Sequence, residues 1–275
     1  MDRQLALAAL LLATVLPAQA QGLPGLPPAG LAAYQEYQNA PSHRAFAIAP
    51  GGAWGWESGA GSPDIAEEQA IDACRAVTRQ KCVLYASDGR VLFDAKSWPR
   101  LWGPYAGTAD AAKAGSGREL GQHFYDITYR TAQGAAAKLG SLRGKVVLVH
   151  FWGSWCAPCR KEIPALAELH KALADRHDIV FVLLQVREPF AVASQWARQQ
   201  RLTLPLADSG STGEDDAQLR LAGGGRIADR EIARSFPTSY VLDKHGLVIF
   251  SHVGPVHDWR QYEAFFRDAA NRSGK

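Results

Sequence analysis

The chain has 275 residues, 47% hydrophobic and 21% charged, with 8 Trp, 8 Tyr and 10 Phe to fill cores. This composition excludes a disordered tail and a polytopic membrane protein, and the length fits one large domain or two ordinary ones. Lys plus Arg number 30 against 27 Asp plus Glu, a net charge of +3 with no long basic run, so nothing points to nucleic acid.

Residues 1–20 read MDRQLALAALLLATVLPAQA, with Arg3 as a positive start, Leu5 to Leu16 as an apolar stretch and Ala18-Gln19-Ala20 as a cleavage pattern. These are the marks of a secretory signal peptide. A dozen apolar residues reach about 18 Å, short of a hydrocarbon core of roughly 30 Å, so cleavage before Gln21 is expected rather than anchoring. The mature chain is expected to be exported, with no stable membrane insertion after cleavage. Paired cysteines in such a compartment are oxidised unless something keeps them reduced.

Residues 21–43 read as an N-terminal spacer, because GLPGLPPAG (22–30) has little capacity for regular structure. Residues 44–110 read as a small disulfide-stapled α+β domain. RAFAIA alternates like a strand, and GGAWGWESG is a turn-rich aromatic piece. Ser62 caps a predicted helix over Pro63 to Arg79, with Pro63 at its first position and acids in its first turn. CVLYA (82–86) and RVLF (90–93) flank Ser87-Asp88-Gly89 as a hairpin. Cys74 near the helix end and Cys82 at the strand start are placed to staple helix to sheet. An aromatic segment closes this unit, and residues 111–122 form an Ala/Gly/Ser linker with the boundary near Gly115.

From His123 to residue 275 strands and helices alternate. HFYDITYR (123–130) is strand-like, and GKVVLVHFW (144–152) is a β-branched run of the kind buried in a central sheet. WCAPCRKEIP (155–164) leads into a helix ending near Arg176, and DIVFVLLQ (178–185) is the next strand, which makes a parallel right-handed crossover. A helix over Ala191 to Gln200 follows, then a polar, Gly-rich stretch from Asp208 to Asp229 that reads as an insertion or a lid. TSYVLD (238–243) and LVIFSH (247–252) form a hairpin, and an amphipathic helix over Asp258 to Ala270 ends the chain.

Cys156 falls at the strand-to-helix junction, where unpaired backbone N–H groups and the helix dipole favour a thiolate. Cys159 sits one turn further on and can reach it. Attack by Cys156 on a partner disulfide gives a mixed disulfide, which Cys159 resolves. The preferred pairing is therefore Cys74 with Cys82 and Cys156 with Cys159, one structural bridge and one redox-active dithiol, with no other cofactor called for.

VVLVHFWGSWCAPCRKEIPAL followed by FPTSYVLDKHGLVIF resembles the thioredoxin superfamily, in particular its exported TlpA/ResA/DsbE-like branch. The resemblance implies an α/β thioredoxin-like fold, a central mixed sheet flanked by helices, preceded here by the small α+β domain. It implies that Pro164 kinks the active-site helix, that Pro237 is cis, and that Phe236 and Trp155 help dock an extended partner. It further implies a periplasmic reductase of selected exported disulfides, recharged by a membrane electron donor of the DsbD kind; an oxidase of the same fold is the alternative. Where thioredoxin has a buried Asp, six residues before its first cysteine, this sequence has His150, a candidate for proton transfer or simply a core histidine. Glu162 and Glu188 are both candidates for the acidic residue that some branch members place near the dithiol. Residues 44–94 resemble, more loosely, a small domain of unknown function from exported bacterial proteins, the DUF4189 type, which implies a fold and a disulfide but no chemistry. A zinc site lacks a second knuckle of the right spacing. A copper-binding or chaperone module would recruit Cys156, Cys159 and His252 or His257.

Overall fold

A computed structural model describes residues 26–275, apart from 79 and 257. The signal peptide expected over 1–20, the first residues of the spacer, Arg79 at the end of the first predicted helix, and His257 lie outside the described residues. The described residues fold into a four-stranded and a seven-stranded sheet of different construction, each with its own core, and a separate two-stranded ribbon.

The first unit comprises helix α1 (Pro28–Asn39), strands β1 (Ala45–Ile48) and β2 (Trp54–Glu57), helix α2 (Pro63–Val77), and strands β3 (Val83–Ser87) and β4 (Arg90–Val91). Its antiparallel sheet has the order β2-β1-β3-β4. Alternation along β1 divides the core in two. Phe46 and Ile48 meet Tyr34 and Tyr37 of α1 together with Tyr85, while Ala45 and Ala47 meet Ala66, Ala70 and Cys74 of α2. Small residues on the second face let the helix lie directly on the sheet. A Cβ at Gly55 would stand 2.7 Å from the Ala70 carbonyl oxygen. Ser62 caps α2 through Ile65 N, and a disulfide joins Cys74 to Cys82 across a Cα–Cα distance of 6.2 Å.

Two readings of this region change. Most of the expected spacer is helix: Pro27 and Pro28 open α1 rather than prevent it, because proline suits a first helical turn, and two tyrosines then bury one face. The expected closing segment is shared between units. In a 3-10 turn over Trp98–Trp102, Trp98 packs on Phe93 with ring centroids 5.2 Å apart, whereas Trp102 packs 4.6 Å from Phe265 near the far end of the chain. Tyr105 Oη donates to Asp268 Oδ2 at 2.7 Å, so residues 102–105 belong with the second core.

The second unit follows α3 (Thr108–Ala111) and contains β5 (Thr128–Thr131), β6 (Ala136–Lys138), β7 (Val146–Trp152), α4 (Ala157–Ala172), β8 (Ile179–Gln185), α5 (Phe190–Gln199), β9 (Leu206–Asp208), β10 (Gln218–Arg220), β11 (Arg226–Ala228), α6 (Asp229–Ile232), β12 (Thr238–Leu242), β13 (Val248–Val253) and, after a 3-10 turn over Trp259–Tyr262, α7 (Glu263–Arg272). Seven strands order as β13-β12-β7-β8-β9-β5-β6. β7 is buried at every residue and lies parallel to β8 and antiparallel to β12, which makes the sheet mixed. That explains its unbroken apolar run, since both faces are covered. The strand expected over 123–130 is shorter, with His123 only bridging to Ser116 and Leu247. This is a thioredoxin-like α/β fold, with the carboxyl end of β7 opening directly into α4.

Candidate active site

The dithiol stands at that junction. Cys156 is the N-cap of α4, and its Sγ accepts from Cys159 N at 3.3 Å, satisfying a donor that the helix start leaves free. A disulfide joins the two, with Cα atoms 5.2 Å apart. Cys159 is fully buried and Cys156 nearly so, and Pro164 lies inside α4. The Phe236–Pro237 peptide bond is cis, and the Phe236 carbonyl oxygen lies 3.5 Å from Cys156 Sγ. Pro237 is held in turn by Gly254 N, which donates to its carbonyl at 2.8 Å. Strand pairing between β7 and β12 thus brings together residues eighty apart in sequence.

Trp155 is 46% exposed and stands edge-on to Phe236, with centroids 5.6 Å apart. Its Nε1 donates to the Val186 carbonyl at 2.9 Å, and its indole covers Gly153, where a Cβ would collide with it. The preceding residue is anchored from below. Ser154 N donates to Glu188 Oε1 at 2.6 Å and Ser154 Oγ donates to Glu188 Oε2. Glu188 is buried, so it is a bracket for the loop and not a solvent-facing acid.

Glu162 is the other acid singled out, and it too is buried. It lies one turn beyond Cys159 on the inward face of α4. Its Oε1 accepts from Trp259 Nε1 at 2.6 Å and Val256 N at 3.0 Å, while Oε2 has no partner among the described residues. Burial pushes its pKa up to about 7 despite these two hydrogen bonds. His150 lies on β7, fully buried, with Nδ1 2.9 Å from Ser239 Oγ and Nε2 unpartnered. Burial holds its pKa down at about 3, so it stays neutral near pH 7 and is a weak base. Those facts favour the core histidine over the proton carrier, and leave Glu162 as the nearby group that titrates in the useful range.

The 208–229 stretch is neither a bare insertion nor a free lid. Its β10–β11 ribbon returns the chain to Asp229, which is 1% exposed and grips Arg187 through two hydrogen bonds of 2.6 and 2.8 Å. Arg187 N also donates to Ser211 Oγ at 3.0 Å, and its Nη1 to Glu214 Oε1 at 3.3 Å. The guanidinium carbon of Arg187 lies 5.7 Å from the Phe236 ring centroid, and that of Arg230 lies 5.3 Å away. The sequence reading missed Ser154, Arg187, Asp229 and Arg230. Only Asp229 left any trace in the sequence, as the end of the polar stretch, because charge pairing between residues 42 apart has no local pattern.

His252 stacks on Phe250 at 6.3 Å, and among the described residues no three His, Cys, Asp or Glu side chains group to hold a metal. The chain is similar to several known proteins. The thioredoxin-like protein YneN of Bacillus subtilis (strain 168) is 34% identical over 138 residues, which span 50% of this chain and 74% of YneN. The thiol-disulfide oxidoreductase ResA of Bacillus cereus is 26% identical over 136 residues, 50% of this chain and 70% of ResA. A thiol:disulfide interchange protein of the thioredoxin family from Chlorobium tepidum TLS aligns with a TM-score of 0.39 at 26% identity, over 53% of this chain and 94% of its own. Residues 119–265, more than half of the chain, match the Redoxin family, and the chain belongs to that family.

Proposed function

We propose that this thiol-disulfide oxidoreductase works as a reductase of selected exported proteins. Cys156 attacks a partner disulfide as thiolate, one partner sulfur leaves, and Cys159 then attacks Cys156 to release the second. Two electrons pass to the partner and the Cys156–Cys159 disulfide closes. The dithiol is the only redox group the reaction calls for. A membrane electron donor of the DsbD kind reopens it, in the periplasm, after removal of the leader at 1–20.

What supports the reductive direction is the setting of Cys156. One backbone N–H reaches its sulfur, a carbonyl oxygen lies 3.5 Å away, and no cationic side chain hydrogen-bonds to it among the described residues. Arg160, the nearest basic residue in sequence, turns its guanidinium to the Ser154 carbonyl at 3.3 Å. Strong oxidants owe their potential to a stabilised reduced form, and little here stabilises a thiolate beyond the helix start. The expected potential of the couple is near that of thioredoxin, about −270 mV, and a value near about −120 mV would assign it to oxidation instead. Redox titration against glutathione or dithiothreitol measures it. Replacing Cys159 with Ser should accumulate mixed disulfides through Cys156 in the exported fraction; absence of adducts would count against the exchange mechanism.

A further inference from the structure

Resting on that reading, the surroundings of Phe236 define the class of partner. The Phe236 carbonyl lies against the attacking sulfur and its ring is buried edge-on to Trp155, so a segment whose disulfide reaches Cys156 meets Trp155 and the groups that cover the ring. Two guanidinium groups flank that ring, and they differ in what balances them. Arg187 is largely buried and its charge is met by Asp229 and Glu214. Arg230 is exposed, donates only to the Arg234 carbonyl at 2.6 Å, and has no ion pair among the described residues. Arg160, Lys161 and Arg234 are also exposed, as are the acids Glu231 and Glu214, of which Glu214 is held by Arg187. Glu188 and Asp229, which hold Ser154 and Arg187, are buried and occupied.

We infer that Arg230, fixed over Phe236, selects partner segments that carry a carboxylate beside the cysteine to be attacked. The occupant is an extended acidic segment of a disulfide-bonded protein. Its carboxylate meets the outward edge of the Arg230 guanidinium while its sulfur meets Cys156. Such a contact acts mainly on the rate of productive encounter and weakens with salt.

The test uses the reduced full-length mature protein and three disulfide-bonded peptides identical except that Glu, Ser or Lys flanks the cysteine. Each rate of exchange is divided by the same peptide's rate with dithiothreitol, which removes the effect of the flanking charge on the disulfide itself. The Glu peptide should exceed the Lys peptide by about tenfold at low ionic strength, falling to about twofold in about 0.5 M salt. Arg230→Gln should bring that ratio toward one, and Arg230→Glu should invert it. A ratio near one in the unaltered protein, or one that Arg230→Gln leaves in place, overturns the inference while reduction of the Ser peptide still upholds the exchange reading. Failure to reduce any of the three overturns both.

Discussion

Burial moves two titratable side chains near the dithiol in opposite directions, and the pH dependence of stability follows from that. Glu162 has its pKa raised to about 7, so it holds a proton in the folded state that the unfolded chain has already released above about 4.5. Its burial carries no titration penalty at low pH and becomes increasingly unfavourable as pH rises from about 4.5 to about 7, by about 3 kcal/mol. His150, held at about 3, refuses a proton that the unfolded chain takes below about 6.5, so it opposes folding as pH falls. Between about pH 4.5 and 6.5 the two slopes oppose each other. Glu162→Gln should therefore lose stability more steeply on acidification than the unaltered protein, and should be relatively more stable at pH 8. Urea midpoints measured from pH 4.5 to 8 check this, and parallel curves for the two proteins would refute it. The same variant should shift the pH profile of disulfide exchange, since residues three apart on a helix are neighbours and Cys159 is that neighbour.

At the scale of elements, the Arg187–Asp229 pair ties a ribbon to the β8–α5 loop, whose Glu188 holds Ser154 beside the dithiol. Breaking a buried pair from one side leaves an uncompensated charge, so Asp229→Ala should cost about 3 kcal/mol. Arg187→Met with Asp229→Leu should cost clearly less than the two single changes summed, a non-additivity that a double-mutant cycle of thermal midpoints reads out. Such long-range pairing also marks where the sequence stopped being legible. The β7–α4–β8 crossover could be read from its apolar runs and from CAPC, because those signals are local. Cys156, Cys159, Trp155 and Phe236 could be named, the last two through family likeness. The supports beneath them could not: Glu188 under Ser154, Asp229 under Arg187, and Trp259 on Glu162 are tertiary contacts with no spacing rule. Helix α1 was hidden differently, since a Pro/Gly-rich entry looks like a linker until the tyrosines behind it find a sheet to cover.

Across the whole molecule, the two units share a boundary that lies inside the segment expected to close the first. Tyr262 Oη donates to the Gly51 carbonyl at 2.9 Å, Trp102 lies on Phe265, and Thr108 N donates to the Lys275 carbonyl at 3.2 Å. A truncated chain beginning at Asp94 retains Trp102 and Tyr105, and one beginning at Ser116 uncovers Phe265 and leaves Asp268 without its tyrosine. The shorter chain should melt lower by about 5 °C or more, from the lost burial of one aromatic side chain alone. Equal melting temperatures would show that the segment contributes nothing to the second core. The ribbon has a consequence of its own for how such proteins diversify. It leaves and rejoins the scaffold between β9 and β12, and Ser211, Glu214 and Asp229 tie it to Arg187 in the β8–α5 loop, while Leu221 bridges to Ile127 and the Arg220 carbonyl accepts from Thr128 Oγ1 at 3.3 Å. A graft that preserved the arginine clasp, the Ile127–Leu221 bridge and the core positions of Leu219 and Ile227 would change what borders the dithiol while the sheet and the chemistry beneath it stayed the same.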